Sequence, residues 1–457
     1  MWPGNDAGRV FINADFLDVV PGSADAATGQ ARFDYRPGEW MVIEHGHALA
    51  ISSKENLAEW FGDEWSANAT TYSYPGCLVI PGMIDAHIHF PQLDIIASHG
   101  EKLLQWLERY TFPAEAAFAD PVHAKQKAGQ FCDLLLAHGT TAAAVFGSVH
   151  KESAEALFKA AAARGMRLIV GKMLMDRNAP ETVLDTAQQG YDDSLALIER
   201  WHGHDRLGYA ISPRFAITST PAQLEAAGAL LLARQGVHLQ SHIGETPEEI
   251  AATLKLYPDC PTYADVYARY GLLGPMSLYG HGIYLTDAER QLLHESRSVT
   301  VHCPTSNFFL GSGLFDRGLA CQPGRQQRLA LGTDVGGGTS FSMLRTIAAA
   351  DHVARLTGQP FSPAYGLYLA TLGSAEALSL DKNIGQFSQR LRRGRRPPEA
   401  DFVVLDPNAI PVLKNRISRV DNIDELFHAI YMLGDDRLVR ETWVAGRRAY
   451  VRPEQSA

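Results

Sequence analysis

Two histidines one residue apart, His87 and His89 in PGMIDAHIHFPQ, close an apolar run. Side chains two apart on a strand share a face. Two imidazoles presented that way form a chelating pair for a divalent cation, whereas in a turn they would only hydrogen-bond, so the rest of the chain has to decide. SHIGE supplies His242 and Glu245, YGHGI supplies His281, and LGTDVGGG supplies Asp334. Each has an ordinary structural use by itself: His242 or His281 as a satisfied core histidine, Asp334 as an N-cap before a Gly-rich helix start. Taken together, histidines and an aspartate suit Zn²⁺, and Fe²⁺ accepts the same nitrogen and oxygen donors. Such an ion lowers the pKa of a bound water from 15.7 to about 7 and so supplies a nucleophile for hydrolysis. Glu245, beyond Gly244, can reach the same cavity without being a ligand and shuttle a proton.

These residues act together only if the fold brings them to one place. From residue 77 onward, short apolar runs alternate with longer amphipathic stretches such as PVHAKQKAGQFCDLLLAHG and TPAQLEAAGALLLARQG. That alternation marks repeated β-then-α units. Eight strands are expected: Leu78 to Asp85, Thr140 to Phe146, Arg167 to Leu174, Leu207 to Phe215, His238 to His242, Ser277 to His281, Ser298 to His302 and Leu329 to Asp334. Eight such units predict a closed (β/α)8 TIM barrel, with functional side chains at the C-terminal strand ends. All the histidines above, Glu245 and Asp334 fall on that rim. The flanks carry short β-like pieces, RVFINADFLDVV, EWMVIEHGHALAI, YSYPGCLVI, ADFVVLDP and RETWVAGRRAYVR, which predict one small β-sandwich domain built from both ends. The expected division is 1–77 and 386–457 for the β-domain and 78–385 for the barrel.

Bulk properties favour small-molecule chemistry. The 457 residues are 46% hydrophobic and 20% charged, with a formal charge of −10, so neither nucleic acid nor an anionic membrane is attracted globally. Five cysteines without a C-x-x-C spacing fit a reducing, cytoplasmic setting. The N-terminus reads neither as a signal peptide nor as a membrane span. Five arginines between 390 and 396, in QRLRRGRRPPEA, read as a solvated loop between barrel and β-domain.

The segments PGMIDAHIHFPQ, EKLLQWLERYTFPAE, MDRNAP, SPRFAITST, SHIGE, YGHGIYL, HCPTSNFFLGSG and LGTDVGGGTSFSML together resemble the guanine deaminase family of the amidohydrolase superfamily, across residues 78 to 380. H-x-H marks only the superfamily; T-F-P-A-E, M-D-R-N-A-P and S-P-R-F are more specific. The resemblance implies hydrolysis of guanine to xanthine and ammonia at one zinc, in a homodimer. His87, His89, His242 and Asp334 would hold the metal. Glu245 would protonate the ring nitrogen, Asp334 would accept the water's proton, and His281 would orient the water. His89, Gln92, Arg214, Phe215, His242, Glu245 and Asp334 would contact the purine. An amide, a guanidinium fork and an aromatic wall suit a planar ring rich in donors and acceptors. The helix expected in Glu101 to Glu115 would roof the pocket or meet a second subunit.

Gly244 departs from the Cys or Ser expected after His242-Ile243, which puts substrate breadth in question through the wall beside Glu245. Rival readings are a related deaminase or chlorohydrolase acting on another purine, pterin or triazine ring, and a non-catalytic scaffold. The scaffold would be expected to lose ligands, and all are present here. A binuclear site would need a lysine at a strand end; Lys172 is the candidate, but Met173 and Leu174 continue the strand beyond it. The H-x-E and P-C-x-x-C pattern of the unrelated zinc nucleobase deaminases does not occur.

Overall fold

The computed structural model describes residues 8–62, 69–99, 102–387 and 396–453. The strands are β1 (Val10–Val19), β2 (Phe33–Glu44), β3 (His47–Ser52), β4 (Thr70–Pro81), β5 (Met83–His89), β6 (Thr140–Phe146), β7 (Arg167–Gly171), β8 (Met173–Leu174), β9 (Gly208–Pro213), β10 (His238–Ile243), β11 (Ser277–His281), β12 (Val299–His302), β13 (Arg328–Leu331), β14 (Phe402–Leu405), β15 (Val439–Val444) and β16 (Arg447–Val451).

β6 (TTAAAVF) and β10 (HLQSHI) are buried at every residue, as strands of a parallel sheet covered on both faces must be. They belong to the order β5-β6-β7-β9-β10-β11-β12-β13, with β8 continuing β7 and pairing β9. Helices outside it, among them Pro121–Ala137, Ala187–Trp201 and Pro221–Ala233, start on the side-chain caps Asp120, Thr186 and Thr220. Each cap satisfies a backbone N–H that the first turn leaves open. Phe131, Leu157, Leu197, Leu224 and Leu230 pack these helices onto the strands in one apolar cluster.

The first and last strands of this sheet meet just past β13. The N–H of Asp334 donates to the His87 carbonyl and that of His89 to the Val335 carbonyl, both at 2.8 Å. Asp85 stitches the same seam, accepting from the N–H groups of His87 (3.2 Å) and Thr333 (3.0 Å) and from the Thr333 hydroxyl. The result is a nearly closed eight-stranded parallel barrel of the TIM type, as the eight βα units predict. Its seam carries the H-x-H pair on one side and Asp334 on the other.

Both ends of the chain build the second sheet, in the order β16-β15-β14-β4-β1-β2-β3. β4 runs parallel to β1 and antiparallel to β14. Alternation along the strands sends Val79, Phe402, Val404 and Trp443 into a core with Ile12, Phe16 and Met41. Leu78, Ile80, Val403 and Leu405 go to the opposite face, against helices that include Met343–Leu356 and Ile423–Leu433.

Two expectations need amendment. The apolar run Leu78 to Asp85 is not one strand: Leu78–Pro81 pair with β14 in the terminal sheet, and the barrel strand starts at Met83. The C-terminal segment also carries helices, Pro411–Ile417 and Ile423–Leu433, where only β pieces were expected; Asn422 caps the second, whose Phe427 and Ile430 are fully buried. Of the five clustered arginines only Arg396 is among the described residues, 3.2 Å from His47. No helix among the described residues is long and apolar enough to cross a membrane.

Candidate active site

Four ligand atoms converge at the barrel's C-terminal end. His242 Nε2 lies 3.1 Å from His87 Nε2 and 3.2 Å from His89 Nε2. Asp334 Oδ1 lies 3.3 Å from each of those same two nitrogens. Tetrahedral coordination with bonds of about 2.0–2.1 Å requires donor-to-donor edges of about 3.3–3.4 Å. The four edges therefore fit a zinc-sized ion, and the nitrogen and oxygen donor set fits one as well. His281 adds a further donor nearby: the ligand atoms of His87, His242, His281 and Asp334 all lie within 4.8 Å of one another.

For His242 an outer atom fixes the tautomer and turns a lone pair inward. His242 Nδ1 donates to the Arg214 carbonyl at 2.7 Å, which leaves Nε2 bare, as a metal-ligating imidazole requires. Burial, with the neighbouring His87 and His89, holds the His242 pKa well below its ordinary value. Burial likewise lowers His89, to about 4. Asp334 is the counterweight: burial alone would raise its pKa, but hydrogen bonds from His87 and His89 hold it well below the usual carboxylate range. Ionised aspartate and neutral imidazoles are the states that bind a cation.

Beside this group stands Glu245. Its Oε1 accepts from the Ser312 hydroxyl at 2.7 Å, and its Oε2 lies 3.4 Å from His281 Nε2. His281 Nε2 also faces Asp334 Oδ2 at 3.8 Å, and its Nδ1 pairs with Asn307 Oδ1 at 2.9 Å. Burial, aided by the charge of Asp334, raises the Glu245 pKa to about 8. A carboxyl that keeps its proton at neutral pH next to a cation site can serve as a general acid. The backbone is turned for this purpose: His281 (φ 72°) and Asp334 (φ 52°) are both left-handed, a conformation rare for residues with a side chain and concentrated at functional sites.

The pocket beside these groups is lined by His89, Gln92, Arg214, Phe215, His242, Glu245, His281 and Asp334, under Leu103, Trp106, Leu107 and Leu310. Every residue that the sequence nominated for substrate contact is on that lining, and His87 joins from behind through its Nε2. The segment after β5 forms helical turns, Leu103–Trp106 and Phe112–Ala116 about a wider turn at Leu107–Thr111, and its Leu103, Trp106 and Leu107 line the pocket as a roof. Arg214 pairs with buried Glu115 at 2.8 Å, and Gln92 donates to the same carboxylate at 3.1 Å. Lys172 is engaged elsewhere, in an ion pair with Asp185.

Sequence reading did not assign Glu115, Asn307 or Ser312, although each lies inside a segment that carries the resemblance, TFPAE or HCPTSNFFLGSG. It also passed over Gly280. A Cβ at Gly280 would lie 2.5 Å from the His87 ring, so Gly280→Ala is expected to tilt that imidazole and weaken zinc affinity by roughly 10–100-fold, read by competition with a chelating dye. Gly244 has a left-handed φ of 58°, and a Cβ there would meet Leu285. A side chain at 244 therefore points away from the pocket lining, and the departure does not open the wall beside Glu245.

Comparison with known proteins agrees with this geometry. The amidohydrolase family model matches residues 78–449. The chain is 43% identical over 418 residues to guanine deaminase of Escherichia coli K12, covering 90% of this chain and 92% of that one. The solved structure of the E. coli guanine deaminase superposes with a TM-score of 0.91 at 39% identity, covering 97% of this chain and 100% of that one. Guanine deaminase from C. acetobutylicum, with guanine bound in the active site, gives 0.84 at 26% identity over the same shares. By domain, fold and identity over most of its length, this chain belongs to the amidohydrolase family, among its guanine deaminases.

Proposed function

We propose that the chain hydrolyses guanine to xanthine and ammonia, using one zinc ion held by His87, His89, His242 and Asp334. The observation that supports this reading best is a single pocket in which the four-donor cluster, the buried Glu245 carboxyl and a donor-bearing guanidinium and amide all meet. The ion supplies Lewis acidity, lowering the pKa of water toward neutrality.

The remaining chemistry belongs to the chain. Arg214, Gln92 and Phe215 hold the purine with C2 toward the donor cluster. Asp334 takes a proton from the attacking water through Oδ2, the oxygen turned toward His281, and His281 orients that water. Glu245 gives its proton to the ring nitrogen next to C2 as the C–O bond forms. Glu245 then recovers a proton from the new hydroxyl, and the proton on Asp334 leaves with the amine as ammonia. One water is consumed, and both carboxyl groups return to their starting states.

The same reading carries a cytoplasmic homodimer. The five cysteines are free and buried, which suits a reducing compartment, and the dimer is what the family resemblance implies. The test is ultraviolet absorbance of guanine with zinc-loaded protein, with ammonia measured in parallel. Conversion to xanthine with one ammonia released per turnover is expected. Intact guanine over stoichiometrically loaded protein would move the substrate to another heterocycle of the same superfamily's range.

A further inference from the structure

Glu115 is fully buried behind the pocket, and its carboxylate is occupied by the two polar side chains in front of it. Arg214 donates through one terminal nitrogen to Oε1 (2.8 Å) and Oε2 (2.9 Å), and Gln92 Nε2 donates to Oε1 at 3.1 Å. The carbonyl end of Gln92 is fixed as well, accepting from the Gly336 N–H at 3.2 Å. Rotating that amide would set oxygen against the Glu115 carboxylate and N–H against the Gly336 N–H. Its orientation is therefore locked.

Three sets of donors are left over on these pocket-lining side chains: the second Nε2 hydrogen of Gln92, and the Nε and second terminal nitrogen of Arg214. None has a hydrogen-bond partner among the described residues, and both side chains line the pocket. This corner offers hydrogens and no acceptor. A 6-oxopurine meets it with two adjacent acceptors, O6 and N7, whereas a 6-aminopurine replaces the first with N–H donors.

We propose that Glu115 is a positioning residue that makes this corner donor-only and so sets the preference for a 6-oxo over a 6-amino purine at the same C2 chemistry. The proposal rests on the guanine reading above. Without the carboxylate, only the Gly336 N–H still holds the Gln92 amide, so turning its carbonyl toward an amino group costs one hydrogen bond fewer, and Arg214 loses the tether that holds its fork in place.

Three purines that all carry a C2 amino group separate the possibilities: guanine, 2-aminopurine and 2,6-diaminopurine, each followed for C2 deamination. In the unaltered zinc-loaded enzyme, kcat/KM should fall in that order, with guanine ahead of 2,6-diaminopurine by roughly 10³-fold or more. 2-Aminopurine belongs in the middle, because a missing acceptor leaves donors unpaired whereas an added donor opposes them. In Glu115→Gln the guanine to 2,6-diaminopurine ratio should shrink by about 10–100-fold. The change should come mainly through a higher KM for guanine, with kcat retained within about threefold, because uniform binding contacts act on KM.

A variant that slows all three substrates equally, or an unaltered enzyme that turns over 2,6-diaminopurine at least as well as 2-aminopurine, overturns the proposal. The substrate order needs no variant, so it can overturn the proposal even if Glu115→Gln does not fold. An unaltered enzyme inactive on guanine would instead remove the underlying reading. An active one with the wrong order would remove only the role of Glu115.

Discussion

Glu245→Gln is expected to lower kcat on guanine by about 10²–10⁴-fold, the usual yield of a positioned general acid or base, without loss of bound metal. Glutamine can still accept the Ser312 hydrogen bond seen at 2.7 Å, so the pocket keeps its shape. It has no proton to release, and that is the defect. The pH profile gives a second readout. Glu245 acts as an acid, so its contribution is full below its pKa and is lost as pH rises through it. Burial and the Asp334 charge set that point at about 8 before any cation is bound, and a nearby cation moves it downward. The unaltered enzyme should show an alkaline limb at or below that pH, and the residual activity of Glu245→Gln should not. A limb of unchanged position in the variant would assign the titration to another group.

Removing the metal is the other large effect. Dialysis against a chelator should abolish turnover, and one equivalent of Zn²⁺ per chain should restore it. The quartet has the spacing of a ligand set: three Nε2 atoms and Asp334 Oδ1 face one another at 3.1 to 3.3 Å. Apoprotein should also unfold at a lower temperature, since a ligand bound only to the native state stabilises it by about 2.7 kcal/mol at a hundredfold excess over its Kd. Differential scanning calorimetry with and without Zn²⁺ measures this. Restoration by Fe²⁺ at equal rate would leave the native metal to be settled by analysis of protein purified without added salts. Activity surviving complete metal removal would end the hydrolytic-metal reading.

The reactive groups were legible in the sequence because a TIM barrel places them in short runs at strand ends, where one residue type and one spacing suffice. His87, His89, His242, His281 and Asp334 could be named for that reason. The groups that orient them were not, because their partners are remote in sequence. Arg214 meets Glu115 behind the pocket wall, Ser312 reaches back to Glu245, and Asn307 to His281; no local pattern announces such pairs. The division of Leu78 to Asp85 between two sheets was hidden for another reason. A strand buried on both faces shows no period, so a continuous apolar run does not say where one sheet hands over to the next. Pro81-Gly82 is the only punctuation.

The placement of β4 between β1 and β14 has a consequence for how the molecule is made. Synthesis delivers β1 to β4 first, and one edge of β4 then waits, unpaired, while the whole barrel is translated before β14 arrives to cover it. Domains mature in the order they emerge, and late partners prolong exposure of whatever they cover. An uncovered edge is a template for another chain. Lesions in β14 to β16 should therefore show up as aggregation in the yield of newly made protein, while the molecules that do finish retain normal turnover.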